Sequence, residues 1–175
     1  RHAKERTIDE LPQSADGLTI MTTQPKFIPS EAVKVNIANA DMRVRMIDSV
    51  GYLIAGAMGH QEDDKPRLVK TPWTEKEIPF AQAAELGTNK IMTDHATIGI
   101  VMTSDGTIND IPRSSYVEAE EKVVAEMQKT GKPFIIVVNS TKPNSSTTQT
   151  LRAGLEAKYD VSTIALDVKK LDKDT

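Results

Sequence analysis

The chain has 175 residues, the size of one domain. Apolar residues make up 38 %, charged residues 27 % and the formal net charge is −3, which leaves enough apolar side chains for a core and excludes a general nucleic-acid binder. There is no cysteine, so a disulfide scaffold, a Cys-rich zinc site and a thiol nucleophile are excluded, and no apolar run approaches the roughly 20 residues of a spanning helix. No signal-peptide pattern opens the chain, and Arg1 in first place points to a piece of something longer.

Residues 1–31 are mostly polar and are punctuated by Pro12, Gly17, Pro25 and Pro29. They read as a loop with a short helix before Leu11. Val-Lys-Val-Asn-Ile over 33–37 alternates like a half-buried strand, 39–41 reads as a turn, and 43–48 alternates again. The two runs predict a hairpin. Residues 51–79 carry Gly51, Gly56, Gly59, Pro66, Pro72 and Pro79, with a charged stretch at 59–67. A connection of that length is usually functional or mobile.

Residues 80–94 place Phe80, Ala83, Ala84 and Ile91 at helical spacing, with Gly87 as a weak point. The run at 97–103, Thr-Ile-Gly-Ile-Val-Met-Thr, predicts a central parallel strand buried on both faces. A helix is expected over 115–130, capped by Ser114 or Ser115 and stopped by Gly131. A strand at 134–139, a helix at 150–159 and a strand at 163–168 complete the pattern. Strand–helix alternation of this kind predicts a parallel sheet with right-handed crossovers, joined by the leading hairpin into a mixed α/β sheet.

Asp48 ends a strand and precedes Gly51 in Asp-x-x-Gly. A carboxylate at a strand's carboxyl edge stands where open α/β sheets bind ligands. In P-loop NTPases such an aspartate holds Mg²⁺, and the glycine N–H can turn toward a γ-phosphate. The plain alternative is a polar strand terminator and a turn glycine. Thr-Ile-Met-Thr-Thr at 19–23 offers hydroxyls for Mg²⁺ or a terminal phosphate; otherwise it is a β-prone stretch in a loop. Asn139 ends the strand at 134–139 where GTP-binding proteins carry Asn-Lys-x-Asp, but Lys142 stands in place of the acid, so guanine selectivity through a carboxylate is not expected. Read plainly, the same residues are a strand end and its loop.

His2, His60 and His95 share no ligand spacing. The segment Thr103–Asp110 is acidic and contains a glycine, but lacks the spacing of a calcium loop. No G-x-x-x-x-G-K-[ST] occurs in the chain, so the backbone cradle and lysine of a phosphate loop are missing from it.

Five blocks carry a resemblance: DELPQSADGLTIMTTQPKFIPSEAVKVNI, VRMIDSVGYLIAGAMG, TPWTEKEIPFAQAAELGTNK, HATIGIVMTSDGTINDIPRSSYVEAEEKVV and GKPFIIVVNSTKP. In this order they closely resemble the stage IV sporulation protein A family of endospore-forming bacteria, over nearly the whole chain. The resemblance implies an ATPase that builds the basement layer of the spore coat by ATP-driven self-assembly. It implies a P-loop NTPase-like domain of translation-factor GTPase type that has turned to ATP, of which residues 1–175 are a part. The implied fold is α/β, a mixed, mostly parallel sheet with flanking helices and a leading β-hairpin, its first strand and P-loop missing from the chain and expected upstream.

By the same resemblance, Thr22 and Thr23 fall on sensor threonines and Asp48 on the Mg²⁺-linked aspartate, with Thr22 as a further metal contact. Gly51 and Asn139 are the expected nucleotide contacts, and ATP and Mg²⁺ the expected cofactors. Implied partners are further copies in a polymer, other coat proteins and a small amphipathic membrane-bound peptide, without nucleic acid. The implied location is the mother-cell cytoplasm at the forespore surface. A different class stays open, a non-catalytic interaction module with a degenerate NTPase fold. Without its first strand the sheet would close up, borrow a strand from another chain, or be completed by upstream residues.

Overall fold

The computed structural model describes residues 25–62 and 65–171. Thr22 and Thr23 lie outside the described residues. The chain divides into two compact units. One runs through Gly51 and resumes over Gly59–Ile91; the other takes Tyr52–Met58 and the chain from Met92.

In the first unit, β1 (Lys26–Ile37) pairs antiparallel with β2 (Ala40–Asp48). The reversal falls at Ala38 and Asn39, with φ of 50° and 65°, the left-handed pair that suits the twist of a two-residue hairpin. β1 starts at Lys26, inside the stretch expected to be loop. Pro25 and Pro29 in the sequence argue against a strand there. The structure accommodates Pro29 in the irregularity between Ile28 and Val33, where the ladder needs no N–H from it.

The ribbon register sorts the side chains by chemistry. Val33 faces Val44, Val35 faces Met42 and Ile37 faces Ala40, while Lys34 faces Arg43 and Asn36 faces Asp41. On the polar side Asp41 takes a hydrogen bond from Asn36 at 2.9 Å and an ion pair from Lys34 at 2.6 Å. Two short hairpins follow, β3 (Gln61–Glu62) with β4 (Lys65–Pro66), and β5 (Leu68–Val69) with β6 (Ile78–Pro79).

α1 (Phe80–Lys90) buries Phe80, Ala83, Ala84, Gly87 and Thr88. These positions form one helical stripe, so Gly87 sits on the packed face rather than at a break. The Arg67 guanidinium lies 4.2 Å from the Phe80 ring centre and the Arg67 carbonyl accepts from the Phe80 N–H at 2.8 Å. The expected helix over 80–94 ends as α-helix at Lys90, and Ile91–His95 continue as a wider π turn.

In the second unit, β7 (Gly99–Ser104), β8 (Phe134–Asn139) and β9 (Thr163–Leu166) form a parallel sheet in that order. α2 (Val117–Thr130) connects β7 to β8 and α3 (Ser146–Tyr159) connects β8 to β9. The core lies on one side of the sheet, where Val101, Ile136 and Val138 pack with Met92, Val124, Met127 and Leu155.

Two expectations about this sheet are corrected. Among the described residues the run at 97–103 forms β7, the outer strand of three, with β8 between β7 and β9. β7 buries Val101 and Thr103, and Ser104 at its end, but leaves Ile100 61 % and Met102 53 % exposed, so the strand is not buried on both faces. The hairpin β1–β2 is a separate two-stranded sheet, because no described strand bridges it to β7. The observed class is therefore mixed α/β with a three-stranded parallel sheet, compatible with a P-loop-like fold.

Helix starts also differ. Neither Ser114 nor Ser115 caps α2. Arg113–Tyr116 form a 3₁₀ turn that feeds it, and its N-cap, Tyr116, makes no side-chain cap. α3 begins four residues earlier than expected, at Ser146, because the Ser145 side chain accepts from the Thr148 N–H at 3.2 Å. Gly131 stops α2 as expected, with φ of 67°. No helix among the described residues is long and apolar enough to cross a membrane.

Candidate functional site

In the first unit the twisted ribbon carries Asp48 to the carboxyl end of β2, where it is exposed. Gly51 follows with φ of 74°, a left-handed conformation that a side chain would strain. Its N–H donates to Thr88 Oγ1 on α1 at 3.1 Å. A hydroxyl thus occupies the donor that the sequence was expected to turn toward a phosphate.

In the second unit three strand ends are tied together by side chains. Asp105, just after β7, accepts from the Thr107 N–H at 3.0 Å, the Thr107 hydroxyl at 2.6 Å and the Thr148 hydroxyl at 2.8 Å. Burial pushes the Asp105 carboxyl up, but hydrogen bonds from Ser140, Thr107 and Thr148 outweigh it, and the group lies below its usual range. The Thr141 N–H in turn donates to Thr107 Oγ1 at 2.9 Å.

Asn139 ends β8, and its Oδ1 accepts from the Val168 N–H at 3.2 Å, stapling β8 to the turn after β9. The Ser140 N–H donates to the Leu166 carbonyl at 2.9 Å. Asp167 caps that turn, accepting from the Lys169 N–H at 3.2 Å and pairing with Lys170 at 3.0 Å. The Lys170 ammonium holds the Asp167 carboxyl below its usual value. These loops line an open cleft of about 240 Å³ with Thr107, Thr141, Asp167 and Lys169 on its walls. A cleft beyond the carboxyl ends of parallel strands is where open α/β sheets receive ligands.

Asp48 and Gly51 belong to one unit and Asn139 to the other. Lys142 is exposed, and its N–H donates to Ser140 Oγ at 3.0 Å. Three residues escaped the sequence reading. Thr88 carried no signal beyond its place in a helix. Asp105 lay in an acidic segment weighed only as a calcium loop, and Asp167 carried none beyond its place in the last strand.

The donor set fits a nucleotide–Mg²⁺ pair in one respect. No cluster of three metal-binding side chains exists among the described residues. Mg²⁺ that is bound through one or two carboxylates together with phosphates and water needs no such cluster, and the exposed Asp48 is a carboxylate of that kind.

The family model for the ATPase domain of stage IV sporulation protein A matches residues 1–175. The chain is 48 % identical over 169 residues to stage IV sporulation protein A of Bacillus subtilis (strain 168), covering 96 % of this chain and 34 % of that protein. It is likewise 48 % identical over 169 residues to the Bacillus anthracis protein of that name, with the same coverage. It is 46 % identical over 172 residues to that of Clostridioides difficile (strain 630), covering 98 % of this chain and 35 % of the relative. The chain therefore spans about a third of the length of the curated relatives it matches. No solved structure matches it. Matched along its whole length by that family model, the chain belongs to the stage IV sporulation protein A ATPase-domain family.

Proposed function

We propose that this chain is part of an ATP-hydrolysing scaffold for the basement layer of the spore coat, in which ATP turnover drives polymerisation around the forespore. The observation that carries this reading is Asp48, an exposed carboxylate at the carboxyl end of β2, three residues before Gly51, in a chain matched throughout by an ATPase-domain family. Asp48 steers Mg²⁺, with Thr22 as a second contact. Thr22 and Thr23 sense the terminal phosphate, and Gly51 and Asn139 contact the nucleotide. When bound, Mg²⁺ supplies positive charge against the phosphate oxygens.

The phosphate loop belongs, on this reading, to residues outside the chain. The whole protein's further partners are other copies, coat proteins and a small amphipathic membrane-bound peptide, at the forespore surface in the mother cell.

The test uses the full-length protein with Asp48→Ala and with Thr22→Ala/Thr23→Ala together. Turnover or filament formation is lost while circular dichroism stays native. Normal hydrolysis and filament formation by both variants would overturn the assignment. The competing reading, a scaffold without catalysis, rests on the lack of a phosphate loop in the chain. Filament formation by the full-length protein without nucleotide would favour it.

A further inference from the structure

The Gly51 N–H has a partner 37 positions away in the sequence, the Thr88 hydroxyl at 3.1 Å. Thr88 is 5 % exposed and lies on the buried stripe of α1 with Phe80, Ala83, Ala84 and Gly87. The acceptor is therefore held by a packed helix rather than by a loose loop. Gly51 is in the opposite condition. Its φ is 74°, and nothing lies within 4 Å of the place a Cβ would take. The acceptor of the hydrogen bond is packed on a helix, while the space beside the Gly51 Cα is open.

A backbone N–H makes one good hydrogen bond at a time. If the Asp48-x-x-Gly51 turn serves a terminal phosphate, that phosphate and Thr88 require the same proton. We propose that Thr88 is a positioning residue that latches Gly51 when no γ-phosphate is present, so that ATP, unlike ADP, must displace it. The inference rests on the ATPase reading and adds a specific element to it. Exchange of partner frees the last turn of α1 from the Asp48–Gly51 turn. The state of the nucleotide is thereby passed to a helix that makes no bond to it.

A ligand shifts such an equilibrium only through its differential contacts. The latch must therefore oppose a triphosphate and leave a diphosphate untouched. Loss of a hydrogen bond of ordinary strength corresponds to roughly a three- to tenfold change in affinity.

The test is nucleotide titration of the full-length protein, with a non-hydrolysable ATP analogue and with ADP, for wild type, Thr88→Val, Thr88→Ala and Thr88→Ser. Valine keeps the shape and removes the acceptor, alanine removes it with a better helix former, and serine keeps the hydroxyl. The expected result is analogue binding tightened about three- to tenfold in the valine and alanine variants, ADP binding unchanged, and wild-type affinities in the serine variant. Equal changes for analogue and ADP, or weaker analogue binding, would overturn the latch and leave Thr88 a packing residue. Wild-type protein that binds neither nucleotide would instead remove the ATPase reading and the latch with it.

Discussion

The Glu120 carboxylate lies 2.6 Å from the Arg113 guanidinium and is only 3 % exposed. It also accepts from the Thr103 hydroxyl at 2.8 Å, while Tyr159 reaches its other oxygen at 3.2 Å. A charge on the buried side of a small sheet is thus fully partnered. The two members of the pair are not equivalent, because the Arg113 side chain keeps 23 % of its surface in solvent. Arg113→Ala strands a buried carboxylate and is expected to cost about 3 kcal/mol. Glu120→Gln leaves an arginine that turns to water and costs less. Urea denaturation of both variants checks the order; a larger loss for Glu120→Gln would contradict it.

Asp105 makes acid sensitivity specific. Its hydrogen bonds lower the carboxyl below the usual 3.8 in the folded chain. A lowered acid contributes stability that is present above the unfolded value and is lost as pH falls through the folded one. Stability measured by urea between neutral pH and strong acid is expected to fall below the usual carboxylate range. Asp105→Asn is expected to be less stable than wild type at neutral pH and to approach it as pH falls. A difference that stays constant across the range would remove Asp105 as a source of the acid sensitivity.

Gly106 and Gly131 both hold positive φ, at 90° and 67°, yet differ in what surrounds them. A Cβ at Gly106 would lie 2.7 Å from the Arg113 backbone nitrogen, whereas at Gly131 it would meet nothing within 4 Å. Gly131→Ala therefore costs only the left-handed strain, about 1 kcal/mol. Gly106→Ala adds a backbone clash and is expected to cost more than about 2 kcal/mol. Thermal melting of the two variants measures the gap.

Lys142 stands where a guanine-reading acid would stand, and it is exposed. Full-length protein loaded with labelled ATP is expected to release little of it to equimolar GTP. Ready exchange for GTP would assign base selection to other residues.

Much of the local structure was legible because it depends on neighbours in the sequence. Phe134–Val138 is continuously apolar and, with Asn139, forms β8 as expected. Gly131 ends α2 for want of a Cβ, and the alternation at 33–37 and 43–48 produces a ribbon. The strand start at Lys26 was hidden by Pro25, which lies just before the strand, and by Pro29, which the ribbon takes up in its irregularity between Ile28 and Val33. The start of α2 was misread because two serines promise a cap, whereas the chain enters through a 3₁₀ turn that delivers Arg113 to Glu120.

By itself the sequence determined the order of the longer strands and helices, the family, and Asp48 at the end of a strand before Gly51, but not the four short strands between Gln61 and Pro79. Among the described residues, tertiary structure alone decided that Ile100 and Met102 of β7 lie exposed. It also decided that Asp105 knots the loops after β7 and β8 and that Thr88 holds the Gly51 N–H. The reason is physical. Periodicity and turn chemistry act over a few residues, whereas a hydrogen bond across 37 or 43 positions depends on which faces packing brings within 3 Å or so.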